Sequence, residues 1–154
     1  MPREEYFLQD MTQSRYGAAL VQELLPWIDA NYATCPERAC RAVGGLSRGA
    51  VWAYLLGLEN QQLFSAAGGH SLPGPVMSPN YLRTLWESMP ENERIRLYMD
   101  IGEFDRYRSG AEEFRSRLEF LAIPHEWHLN AGTHNDAYWM AHVEEYLRWY
   151  AAGW

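Results

Sequence analysis

Ala39-Cys40-Arg41-Ala42-Val43-Gly44-Gly45-Leu46-Ser47-Arg48-Gly49-Ala50-Val51-Trp52-Ala53-Tyr54-Leu55-Leu56-Gly57-Leu58 carries the strongest structural signal in this chain. Its first part, Ala39 to Gly44, is short, apolar and ends on glycine, as a buried strand does. Its last part, Ala50 to Leu58, sets Val51, Tyr54, Leu55 and Leu58 at helical spacing. Between them lies Gly45-Leu46-Ser47-Arg48-Gly49, a G-x-S-x-G pentapeptide. At a strand-to-helix junction this pattern thrusts the serine out on a tight turn, and both flanking glycines are expected to be needed where backbone passes close to a strained residue. The reading is an elbow that presents Ser47 as a nucleophile.

A serine hydroxyl is a poor nucleophile alone, so the reading requires a histidine base and a carboxylate later in the chain. Ile95 to Ile101 alternates Ile95, Leu97, Met99 and Ile101 like a strand and runs into Gly102-Glu103-Phe104-Asp105. His125 to Asn130 is a second strand candidate and runs into Ala131-Gly132-Thr133-His134. Open α/β sheets bind ligands beyond the carboxyl ends of their strands. Ser47, His134 and an acid are thereby expected on one sheet edge, the acid candidates being Asp100, Glu103, Asp105 and Asp136.

In these residues the chain resembles the esterase D group of α/β-hydrolases, which includes feruloyl esterases, enterochelin esterases and related acyl transferases. The resemblance rests on Gln22 to Tyr32 (QELLPWIDANY), the elbow, Asp100 to Asp105 (DIGEFD), Gly132-Thr133-His134 with Tyr138-Trp139, and the closing Tyr146-Leu147-Arg148-Trp149. It covers nearly the whole chain. It implies a truncated α/β-hydrolase domain over residues 1–154, with about four mostly parallel strands and helices on both faces. It further implies Ser47 as nucleophile, His134 as general base and acid, Asp105 as the orienting carboxylate, a small acyl ester as substrate, and no cofactor or metal. The same catalytic residues also serve acyl transfer in the group.

The chain departs from the group's pattern in two ways. Arg48 stands where a methionine is usual after the serine; the backbone N–H of Arg48, one half of the expected oxyanion hole, does not depend on that side chain. The second departure is length. The resembling fold carries further strands ahead of the elbow, including the loop that donates the second oxyanion N–H, and no segment of this chain matches them. Met1 to Arg15 is too polar and short to replace them, although Glu5 to Leu8 suits an edge strand. Losing one oxyanion donor costs about a hundred- to a thousandfold in rate, which keeps a weakly active or non-catalytic binding module as the alternative. An unflanked elbow strand is an apolar sheet edge prone to pairing, so a homodimer or larger assembly is expected.

Other segments fit an α/β sandwich. A helix is expected around Tyr16 to Tyr32 and a strand near Phe64 to Gly68. Gly68 to Pro79 (GGHSLPGPVMSP) reads as a loop beside the site, in which His70 is a candidate substrate contact. Ser109 and Glu112 look like a capping box ahead of an apolar stripe of Ala111, Phe114, Leu118 and Leu121. The last helix sets Trp139, Val143, Tyr146, Leu147 and Tyr150 on one face, read as core, with Trp139 a second substrate candidate one turn past His134.

Composition argues for one globular domain, with 47% hydrophobic and 21% charged residues. A net charge of -7 disfavours nucleic acid and anionic membranes as partners. The longest apolar stretch, Gly49 to Leu58, is about half a bilayer span, and Met1-Pro2-Arg3-Glu4-Glu5 is no signal peptide. A cytoplasmic location follows if the chain is complete, and an extracellular one is open if it is part of an exported esterase. Cys35 and Cys40 fit a small-loop disulfide or free thiols equally, and His125, His128 and His142 lack metal-ligand spacing.

Overall fold

The computed structural model describes residues 15–154. They fall into two compact units divided between Glu37 and Arg38. The expected strand at Glu5 to Leu8 lies outside the described residues.

In the first unit α1 (Arg15–Ala19), a π-helical turn (Leu20–Leu24) and α2 (Leu25–Asn31) follow without a break. This is the helix expected around Tyr16 to Tyr32. It leaves Leu24, Trp27 and Tyr32 exposed, with the rings of Trp27 and Tyr32 edge-to-face at 5.8 Å.

The second unit is built on a four-stranded sheet in the order β1 (Ala42–Leu46), β2 (Ala66–His70), β3 (Arg96–Gly102), β4 (Glu126–Asn130). All three pairings are parallel. Each strand is joined to the next through helix: α3 (Arg48–Glu59) after β1, α4 (Pro79–Glu87) after β2, α5 (Arg108–Phe120) after β3, and α6 (Asp136–Ala151) closes the chain. Among the described residues, β1, the strand that leads into Ser47, ends the sheet on one side, as expected.

Local chemistry explains the element boundaries. α3 is apolar almost all round and correspondingly buried, from Ala50 to Leu58 apart from half-buried Trp52. α4 was not expected, yet its start is written in the sequence: the Ser78 hydroxyl accepts from the Tyr81 N–H at 3.3 Å and Pro79 occupies the first turn. α5 corrects the capping-box expectation, because it starts at Arg108 with no side-chain cap on Tyr107. Glu112 is taken by Arg108 instead, Oε1 to Nε 2.7 Å. Its stripe of Ala111, Phe114 and Leu118 is buried as expected.

Strand periodicity divides side chains between two layers. On one face Gly69 faces the Tyr54 ring of α3, and Tyr54 packs on Phe114 of α5 at 5.2 Å. On the other face lies α6. There the structure corrects the apolar-stripe reading: Val143 and Leu147 are 49% and 63% exposed, while Tyr138 and Tyr146 are buried. α6 meets the sheet with tyrosines because the strand positions beneath it are Gly44, Gly68, His70 and Asp100, which leave room for rings and offer polar partners.

Candidate active site

Ser47 sits between β1 and α3 at φ 54° and ψ -117°, a conformation seldom adopted by residues with side chains. The turn is held by backbone on both sides: the Ser47 N–H donates to the His70 carbonyl (2.8 Å), and the Ser47 carbonyl accepts from the Ala50 N–H (2.9 Å). A Cβ on Gly45 would fall on the Gly49 carbonyl, whereas one on Gly49 would enter open space. Only the first of the two glycines is therefore sterically required, which corrects the symmetric expectation.

The loop after β3 supplies Asp105. Its backbone N–H bonds back to the Gly102 carbonyl at 3.0 Å, and its side-chain Oδ1 accepts from the Tyr107 N–H at 2.9 Å. The loop after β4 supplies His134, immediately before Asn135, whose Oδ1 caps α6 by accepting from the Tyr138 N–H at 2.9 Å. Gly132 in that loop has φ +144°, a region that favours glycine, and a Cβ there would strike the Tyr138 ring.

Three loops thus bring Ser47, His134 and Asp105 together. The Ser47 hydroxyl donates to His134 Nε2 at 2.9 Å, and His134 Nδ1 lies 2.9 Å from Asp105 Oδ2 and 3.2 Å from Oδ1. A carboxylate only accepts, so Nδ1 carries the proton and Nε2 presents its lone pair to the serine. The Asp105 carboxylate is fully buried and the His134 side chain 10% exposed. The imidazole is flanked edge-on by Tyr107 (4.9 Å) and Trp139 (5.0 Å), and Trp139 Nε1 donates to the Ser71 hydroxyl at 3.0 Å.

The other acid candidates lie elsewhere. Asp100 is buried on β3 against His70, Glu103 is exposed, and Asp136 sits exposed in the first turn of α6. Arg48 is the first residue of α3, which sets its backbone N–H at a helix N-terminus beside Ser47. His70 corrects the substrate-contact expectation. It is the last residue of β2 rather than part of a loop, is 3% exposed, and has both ring nitrogens engaged, Nδ1 by Asp100 (2.6 Å) and Nε2 by Tyr150 (2.8 Å).

Sequence reasoning overlooked Tyr107 and Ser71, and it took the α6 tyrosines for apolar core. The signal for the last was present: Tyr138, His142, Tyr146 and Tyr150 recur every fourth residue, opposite strands that carry His70 and Asp100.

A parallel sheet with a serine on a strained strand-to-helix turn, and a histidine and carboxylate on the next loops along the same edge, defines an α/β-hydrolase-type esterase fold. The chain belongs to the Esterase family, whose profile matches residues 2–150. It is similar to the esterase Rv1288 of Mycobacterium tuberculosis, 27% identical over 158 aligned positions that cover 74% of this chain and 35% of that protein. An endo-1,4-beta-xylanase/feruloyl esterase of Xylanibacter ruminicola is 27% identical over 86 positions, 53% of this chain and 12% of that protein. Among solved structures, a ferulic acid esterase superposes with a TM-score of 0.75 at 21% identity, covering 89% of this chain and 61% of that one. The S-formylglutathione hydrolase FrmB of Staphylococcus aureus gives 0.75 at 16%, covering 85% and 62%. The chain thus spans about a third of the curated M. tuberculosis relative and about three fifths of these solved chains.

No helix among the described residues is long and apolar enough to cross a membrane.

Proposed function

We propose that the chain is a serine carboxylester hydrolase acting on a small acyl ester. The observation that carries the reading is the continuous hydrogen-bond path from the Ser47 hydroxyl through His134 to buried Asp105. Ser47 Oγ attacks the ester carbonyl while its proton passes to His134 Nε2, and Asp105 stabilises the imidazolium that results. The carbonyl oxygen becomes an oxyanion beside the Arg48 N–H at the head of α3. The proton on Nε2 then goes to the departing alcohol. Water, deprotonated by the same nitrogen, releases the acid and restores Ser47.

Trp139, beside the imidazole, lines the approach of the substrate. β1, at the end of the sheet, pairs with a second copy, giving a homodimer or larger assembly. Hydrolysis of p-nitrophenyl acetate and butyrate, compared with Ser47→Ala at a concentration where the oligomeric state is known by light scattering, tests the reading. Release that disappears in the variant supports it. Equal release from both proteins leaves the chain a non-catalytic binding module. Products formed with added alcohols in place of water assign acyl transfer.

A further inference from the structure

The second unit buries a polar cluster that the reaction above does not use. Asp100, 1% exposed at the middle of the sheet, accepts from His70 Nδ1 on one oxygen (2.6 Å) and from the hydroxyls of Tyr138 (2.6 Å) and Tyr146 (2.7 Å) on the other. The Tyr150 hydroxyl completes it by donating to His70 Nε2, and the His70 ring stacks on Tyr146 with centroids 3.6 Å apart. Three tyrosines from one face of α6 therefore converge on two residues of adjacent strands. The three hydroxyls thus tie α6 to β2 and β3 and satisfy a buried carboxylate and a buried imidazole.

One of the three tyrosines reaches further. The Tyr138 backbone N–H is held by the Asn135 side chain, its ring lies where a Cβ of Gly132 would be, and its hydroxyl also accepts from Asn130 Nδ2 at 3.3 Å. Asn130, Gly132 and Asn135 bracket His134. We propose that Asp100 is a positioning residue for His134: through the Tyr138 hydroxyl it sets the loop that aims the imidazole at Ser47, while Tyr146 and Tyr150 anchor the rest of α6. The inference rests on the esterase reading only in taking His134 as the base.

Tyr138→Phe and Tyr150→Phe, each losing one hydroxyl of the same cluster, form the test, with Asp100→Asn as a second way of weakening the Tyr138 link. Four quantities are measured: the thermal midpoint, kcat and KM for p-nitrophenyl acetate, and the imidazole resonances of His134 in ¹H–¹⁵N spectra. Tyr138→Phe and Asp100→Asn are expected to move the His134 resonances and to lower kcat about tenfold or more with KM little changed, as a misaimed base does. Tyr150→Phe is expected to lower the thermal midpoint while leaving kcat and the His134 resonances in place. Unmoved His134 resonances in Tyr138→Phe, or equal movement in both tyrosine variants, overturn the proposal. If the wild-type protein hydrolyses no ester, the esterase reading falls, and the His134 resonances still decide the positioning role.

Discussion

Asp105 and His134 meet through two loops on adjacent strands, with Oδ2 2.9 Å from Nδ1 and the carboxylate wholly out of solvent. A buried carboxylate in this position fixes the tautomer of the imidazole as well as its direction. Asp105→Asn keeps the shape and removes the charge, and the amide offers its donor to Nδ1. Hydrolysis is expected to fall by about 10⁴-fold through the wrong tautomer, with the thermal midpoint far less affected. Steady-state kinetics beside a melting curve check this.

The asymmetry of the elbow glycines gives a direct comparison. Gly45→Ala places a methyl on the Gly49 carbonyl, and the turn has to open to admit it, at a cost of about 1–3 kcal/mol or more. Gly49→Ala points into open space and adds helix propensity near the start of α3. The first variant is expected to lose both stability and reactivity of Ser47 toward a fluorophosphonate, and the second to keep both. Urea unfolding and labelling rates distinguish them.

The α6 tyrosines predict an alkaline limit to stability. Burial first, then the charge of Asp100, raises the Tyr138, Tyr146 and Tyr150 hydroxyls well above the ordinary tyrosine value. A group whose folded value is raised contributes its full stability below the unfolded value, about 10 for tyrosine, and loses it as the pH climbs beyond. The urea midpoint is expected to fall steadily above that pH. Tyrosinate absorbance from these residues should appear only together with unfolding.

Trp139 joins two neighbours, the imidazole edge and the Ser71 hydroxyl. Trp139→Phe retains an aromatic ring but drops the N–H, leaving the buried Ser71 oxygen without that donor, at a cost of about 1–2 kcal/mol. Because the ring also lines the proposed approach to Ser47, KM is expected to rise several-fold with kcat nearly constant. Kinetics on short and long acyl esters, together with unfolding, check both effects.

Much of the second unit was legible in the chain. The elbow turn and the alternation of Ile95 to Ile101 rest on short-range patterns, and these the structure reproduces, with β1 beginning at Ala42 rather than Ala39. The acid was harder, because Asp100, Glu103 and Asp105 lie within six residues and only tertiary packing separates them. His70 was misplaced because a glycine pair reads as a loop from sequence, although here Gly68 and Gly69 make room for rings from α6 and α3. The α6 face was misread because tyrosine counts as apolar in a periodicity argument, while its hydroxyl is what Asp100 and His70 require.

β2 runs Ala66-Ala67-Gly68-Gly69 before its histidine, with nothing larger than a methyl group on four successive positions. Through that thin strand Tyr150 presses from one layer and Tyr54 from the other. Tyr54 belongs to the helix that starts beside Ser47, and Tyr150 to the helix that starts just after His134. The spacing of these two helices is therefore gauged at this point by a strand that supplies neither Ser47 nor His134. Any added bulk at Gly68 or Gly69 thickens the spacer and pushes outward a helix adjoining one partner of the pair.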